Sequence, residues 1–110
     1  MSGNTIYLKQ GNLLPIVTAT LYDGSGVVNL TGASVAFVMK DPATGTVKVN
    51  GSCSVSSPAT AGTVTYTWVG TDTNTVATYN AEFQVTFASG KIETFPNDGW
   101  LRVVVRDKLV

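Results

Sequence analysis

The hexapeptide Thr63-Val64-Thr65-Tyr66-Thr67-Trp68 decides how the rest of the chain is read. Its apolar and polar side chains alternate at every residue. In a strand, successive side chains point to opposite faces, so Val64, Tyr66 and Trp68 share one face and the three threonines share the other. A helix, turning about 100° per residue, scatters both sets around its axis. The segment is therefore predicted as a strand with one buried and one wet face.

The same two-residue period recurs on both sides of it. Tyr79 to Phe87 places Tyr79, Ala81, Phe83, Val85 and Phe87 inward and Asn80, Glu82, Gln84 and Thr86 outward. Ser34 to Lys40 buries Val35, Phe37 and Met39. Leu101, Val103 and Val105 alternate with Arg102, Val104 and Arg106, and Val17, Ala19 and Leu21 alternate with Thr18, Thr20 and Tyr22. Turn chemistry separates these runs. Asp23-Gly24-Ser25-Gly26 tolerates the positive φ of a tight hairpin, and Asp41-Pro42-Ala43-Thr44-Gly45 has the residues of a type I turn closed by a left-handed glycine. Ser89-Gly90, Asn50-Gly51 and Asn97-Asp98-Gly99 are read as further reversals. Gly70 to Thr78 fits no strand; it is expected to form a short helical turn between sheets, capped by Asp72 or Thr71. About eight or nine short antiparallel strands at this spacing predict a sandwich or barrel.

Composition agrees. The 110 residues include 16 Thr and 16 Val, β-branched types that suit a pleated surface, whereas Glu occurs only at 82 and 93 and Gln only at 10 and 84. That length suits one domain, residues 1–110, with a core large enough to stand without metals or disulfides. Seven basic and seven acidic residues cancel and form no run of one sign, so no basic face is expected and nucleic acid is not expected as a partner. Zero net charge favours association, including self-association. No apolar stretch approaches the roughly twenty residues of a membrane span, and the first residues do not read as an export signal, so synthesis in a cytoplasm is expected.

Little here supports catalysis. The chain has no histidine, which removes the Ser-His-Asp and Cys-His arrangements and the imidazole ligands of zinc sites. Cys53 is the sole cysteine and reads as a half-buried strand residue. Glu82 and Glu93 sit on segments that a hairpin at Ser89-Gly90 brings together, the arrangement a glycosidase needs, but Glu82 falls on an outward face. Thr71, Asp72 and Asn74 are too few for a dedicated calcium loop and are explained by turn formation. No catalytic residue, metal or cofactor is expected. Among the aromatics, Tyr7 and Tyr22 are expected to be partly exposed, and Phe95 and Trp100, flanking Pro96 to Gly99, are candidates for a sugar-binding platform.

The segments Gln10-Gly11-Asn12-Leu13-Leu14-Pro15, Ala19-Thr20-Leu21-Tyr22-Asp23, Val28 to Phe37, Gly62 to Tyr66, Tyr79 to Phe83 and Glu93-Thr94-Phe95-Pro96 also occur in a telling order. Together they resemble the immunoglobulin-like N-terminal domain of tailed-phage baseplate upper proteins and related virion proteins. The resemblance implies an immunoglobulin-like β-sandwich acting as a structural or accessory part of a virion through contacts with other virion proteins. Because the sequence stops at Val110, it implies a head, neck or tail decoration or adaptor rather than a receptor-binding arm. The alternative is a carbohydrate-binding module recognising host surface glycans. A sandwich leaves edge strands whose backbone groups lack partners. The apolar opening segment is the candidate to pair with a neighbour, with Ile6, Tyr7 and Leu8 as contact residues; the competing reading makes them an ordinary first strand.

Overall fold

A computed structural model describes residues 5–14, 16–24, 26–96 and 101–109. Eleven strands and one 3₁₀ turn, Ala59–Ala61, make up its regular structure. The strands are β1 (Thr5–Lys9), β2 (Val17–Thr20), β3 (Tyr22–Asp23), β4 (Gly26–Val27), β5 (Ser34–Lys40), β6 (Val47–Ser52), β7 (Ser54–Val55), β8 (Thr63–Tyr66), β9 (Ala77–Thr86), β10 (Ile92–Phe95) and β11 (Leu101–Arg106). The larger sheet runs β1-β11-β9-β5-β6, and β10 pairs with the far half of β9. The smaller sheet runs β2-β8-β7, and β3 and β4 form a separate hairpin. All pairings are antiparallel except β1 with β11, which is parallel from Thr5↔Arg102 to Lys9↔Arg106. This is an immunoglobulin-like β-sandwich.

The core lies where period two placed it. Phe37, on β5, is the hub: its ring stacks on Tyr66 at 4.9 Å, meets the edge of Trp68 at 5.7 Å and tilts against Phe83 at 5.3 Å. Such offset and edge contacts suit the charge distribution of aromatic rings. Tyr66, Trp68, Tyr79 and Phe83 are all buried. Their polar ends reach partners. The Tyr79 hydroxyl donates to the Thr75 carbonyl at 3.0 Å, tying the start of β9 to the loop before it. This is the tyrosine corner found in immunoglobulin-like sandwiches. The Tyr66 hydroxyl donates to the Asp72 carboxylate at 2.5 Å, which also accepts the Val69 N–H at 3.0 Å.

Two local expectations are corrected. Residues 70–78 form no helix: Asp72 closes a turn by binding Val69 and Tyr66, and β9 begins at Ala77. Asn50-Gly51 is no reversal but lies inside β6, opposite Val38 and Phe37. The cause is packing, since a Cβ on Gly51 would stand 2.7 Å from the Tyr66 ring. Glycine within a strand marks such a close approach as often as it marks a turn.

Candidate binding face

The outer face of the larger sheet gathers side chains that are far apart in sequence. Along β1, Ile6 and Leu8 turn inward and Thr5, Tyr7 and Lys9 turn outward. On β11, Val103 and Val105 are fully buried against the smaller sheet, so Arg102, Val104 and Arg106 stand on the outer side, where both arginines are exposed and Val104 is covered by its neighbours. The registers then set rows across the sheet. Lys40, Asn80, Arg102 and Thr5 stand opposite one another on β5, β9, β11 and β1, and Thr78, Val104 and Tyr7 form the next row. Lys9 lies beside Arg106, two like charges on neighbouring strands. Arg106 also lies over the Tyr7 ring, its guanidinium carbon 5.5 Å from the centroid.

This face thus holds four of the seven basic side chains of the chain, Lys9, Lys40, Arg102 and Arg106, and one of the seven acidic ones, Glu82. All four cations are exposed. Among the described residues no ion pair neutralises them. Like charges directly opposed across strands are unfavourable, so Lys9 beside Arg106 is a cost the isolated fold does not need. Next to this cluster, Val38, Lys40, Pro42, Gly45, Asn80 and Glu82 line a shallow depression of about 350 Å³. The expectation that no basic face exists is therefore corrected. The charges are dispersed in sequence, and the parallel pairing of β1 with β11 brings them together.

The residues singled out in the sequence are distributed as follows. Tyr7 is 61% exposed, whereas Leu8 is 4% exposed and Ile6 is half-buried. Of the three contact candidates only Tyr7 is presented to solvent; Leu8 is corrected to a core residue, because period two turns it toward the smaller sheet. Phe95 is also a core residue, 2% exposed and opposite Phe83, so it offers no platform to a sugar. Trp100 lies outside the described residues. Glu82 and Glu93 do not form a pair: Glu82 shares the outer face with Asn80, while Glu93 stands opposite the inward-facing Val85. Asp72 is engaged by Tyr66 and Val69, and Asn74 accepts from Lys48 at 2.6 Å. Among the described residues no three His, Cys, Asp or Glu side chains are placed to hold a metal ion. Burial pushes the Cys53 thiol up to about 11, which leaves it a poor nucleophile at neutral pH. Among the described residues no helix is long and apolar enough to cross a membrane.

No family model matches the chain, and no curated protein matches it. Among solved structures, the chain is similar to CopC from Methylosinus trichosporium OB3b, with a TM-score of 0.56 and 17% identity over 98% of this chain and 89% of that one. At that identity the similarity supports the sandwich fold. It also corrects the expected function. The chain is similar over 98% of its length to CopC, a different kind of protein from a phage virion component, so the expected virion role is not retained.

Proposed function

We propose that this chain is a non-catalytic binding module that presents the outer face of its larger sheet to an acidic surface of another protein. The observation carrying this reading is the unneutralised cluster of Lys9, Lys40, Arg102 and Arg106 around Tyr7 and Val104. Tyrosine and arginine are the residue types that anchor protein interfaces, and here a cation already sits on the aromatic ring at the centre of the patch. A broad, nearly flat face suits a protein surface better than an enclosed small ligand. It suits nucleic acid less well. Long polyanions are held by contacts to many phosphates, whereas this face offers four cations and the other surfaces of a neutral molecule carry the compensating acidic groups.

The test uses the full chain and poly-glutamate as an acidic probe, with single-stranded DNA for comparison, titrated at low and raised salt. Saturable binding of poly-glutamate that weakens with salt and falls at least about tenfold in the double variant Arg102→Glu, Arg106→Glu supports the reading. Absence of binding, equal binding by the variant, or tighter binding of DNA overturns it.

A further inference from the structure

Among the described residues, each exposed sheet edge but one carries a feature that discourages pairing with another chain. β6 has Lys48 and an irregularity in its register at Met39/Lys40. β1 ends on Lys9, β10 holds Glu93, and β7 is only two residues long. Charges, bulges and shortness are the usual protections of an edge. β2, with the sequence Val-Thr-Ala-Thr, has none of them.

The hydrogen bonds show which backbone groups of β2 face outward. The Leu21 N–H donates to the Gly62 carbonyl at 2.8 Å, continuing the register Val17↔Tyr66 and Ala19↔Val64. Antiparallel ladders alternate bonded and non-bonded pairs, so Val17 and Ala19 bond to β8. On the far side of β8, the Ser56 N–H donates to the Thr63 carbonyl at 2.9 Å, so Thr63, the partner of Thr20, bonds away from β2. Both observations leave the N–H and C=O of Thr18 and Thr20 directed at the open edge. Beside that edge a seam of about 370 Å³ opens between the sheets, lined by Thr5, Ile6 and Leu101 on one side and residues 17–20 on the other, with no charged side chain among its described lining residues.

We infer that this edge pairs with the same edge of a second copy of the chain. A two-fold axis through Ala19 sets Thr18 opposite Thr20 of the partner subunit and Thr20 opposite the partner's Thr18. Each of these is then a bonded pair, so every outward donor and acceptor of both strands is used. The contact is isologous and closes at two copies. It joins the two smaller sheets into one sheet of six strands, β7-β8-β2 followed by its two-fold mate. The occupant is a second copy because the edge is complementary to itself in this register, and because neither the edge strand nor the net charge of the chain opposes the approach. Four residues on each side make a small interface, so the dimer is of the weak, concentration-dependent kind. The outer face of the larger sheet stays free in it.

The test is sedimentation velocity of the full chain from micromolar to millimolar concentration. The native chain is expected to pass from monomer to dimer. Thr18→Pro removes an N–H that bonds nothing among the described residues, so it should raise the dimer dissociation constant at least about tenfold while the circular dichroism and Tm stay near native. Should that variant fail to fold, the double variant Thr18→Lys, Thr20→Lys leaves the backbone intact and sets like charges opposite each other across the axis, with the same loss expected. As a positive readout, Ala19→Cys in a Cys53→Ser background should form a disulfide-linked dimer on mild oxidation. A chain monomeric throughout the range, or a dimer unaffected by both substitutions at Thr18, overturns the inference.

Discussion

At the scale of single residues, two glycines and two tyrosines carry much of this fold. Gly51 is the only residue type that lets the Tyr66 ring lie against β6, because a Cβ there meets ring carbon at 2.7 Å. Gly51→Ala is expected to destabilise by about 1–3 kcal/mol, the usual cost of overpacking a core, measured as a drop in urea midpoint with unchanged slope. Gly62 combines a φ of +69° with a Cβ position 2.7 Å from the Val28 carbonyl oxygen. Its replacement by Ala meets strain and clash together and should cost more than Gly51→Ala in the same titration. Tyr66 is held in its neutral form by burial first and then by its hydrogen bond to Asp72, which places its ionisation well above that of a free tyrosine. Tyr79 is shifted upward as well, again chiefly by burial. Both groups ionise more readily in the unfolded chain, so the stability they contribute is complete below pH about 10 and is lost as pH rises beyond it. Alkaline titration followed by far-ultraviolet circular dichroism should show unfolding coincide with tyrosinate absorption. Tyrosinate appearing in a chain that stays folded contradicts this account.

At the scale of elements, the corner between β8 and β9 and the pairing of β1 with β11 behave differently as objects of sequence reading. The corner rests on the Tyr79 hydroxyl reaching back to Thr75. Tyr79→Phe should cost about 1 kcal/mol of stability without changing the fold, a result two-state urea melts can resolve. The strands themselves were legible because β5, β8 and β9 each bury one face, and period two states that directly in Phe37, Val64, Tyr66, Tyr79 and Phe83, whereas β11 buries Val104 as well as Val103 and Val105. The partnership of β1 was not legible. A strand pairs in parallel through contacts nearly a hundred residues away, and nothing local in Thr5 to Lys9 states which neighbour it takes. For the same reason the basic face was invisible. Lys9, Lys40, Arg102 and Arg106 are scattered along the sequence, and only register makes them neighbours. Phe95 was misplaced because flanking a loop reads as exposure, although its own register with Phe83 turns it into the core.

At the scale of the whole molecule, a neutral chain becomes a polar object. Folding puts four of the seven basic side chains on one sheet face with a single carboxylate, Glu82, so the net charge of zero conceals a basic face. The smaller sheet presents, on another side, an edge with no charge of its own. The proposed partner face and the proposed dimer edge lie on different sheets of one scaffold, and reversal of Arg102 and Arg106 should leave the dimer equilibrium unchanged. The claim that the outer face of the larger sheet is the working surface is tested most directly by nuclear magnetic resonance. An isotope-labelled sample titrated with poly-glutamate should show its largest amide shifts in Thr5–Lys9, Leu101–Arg106 and residues 78–82, all diminishing with salt. Shifts concentrated on the smaller sheet, or none at all at low salt, contradict it.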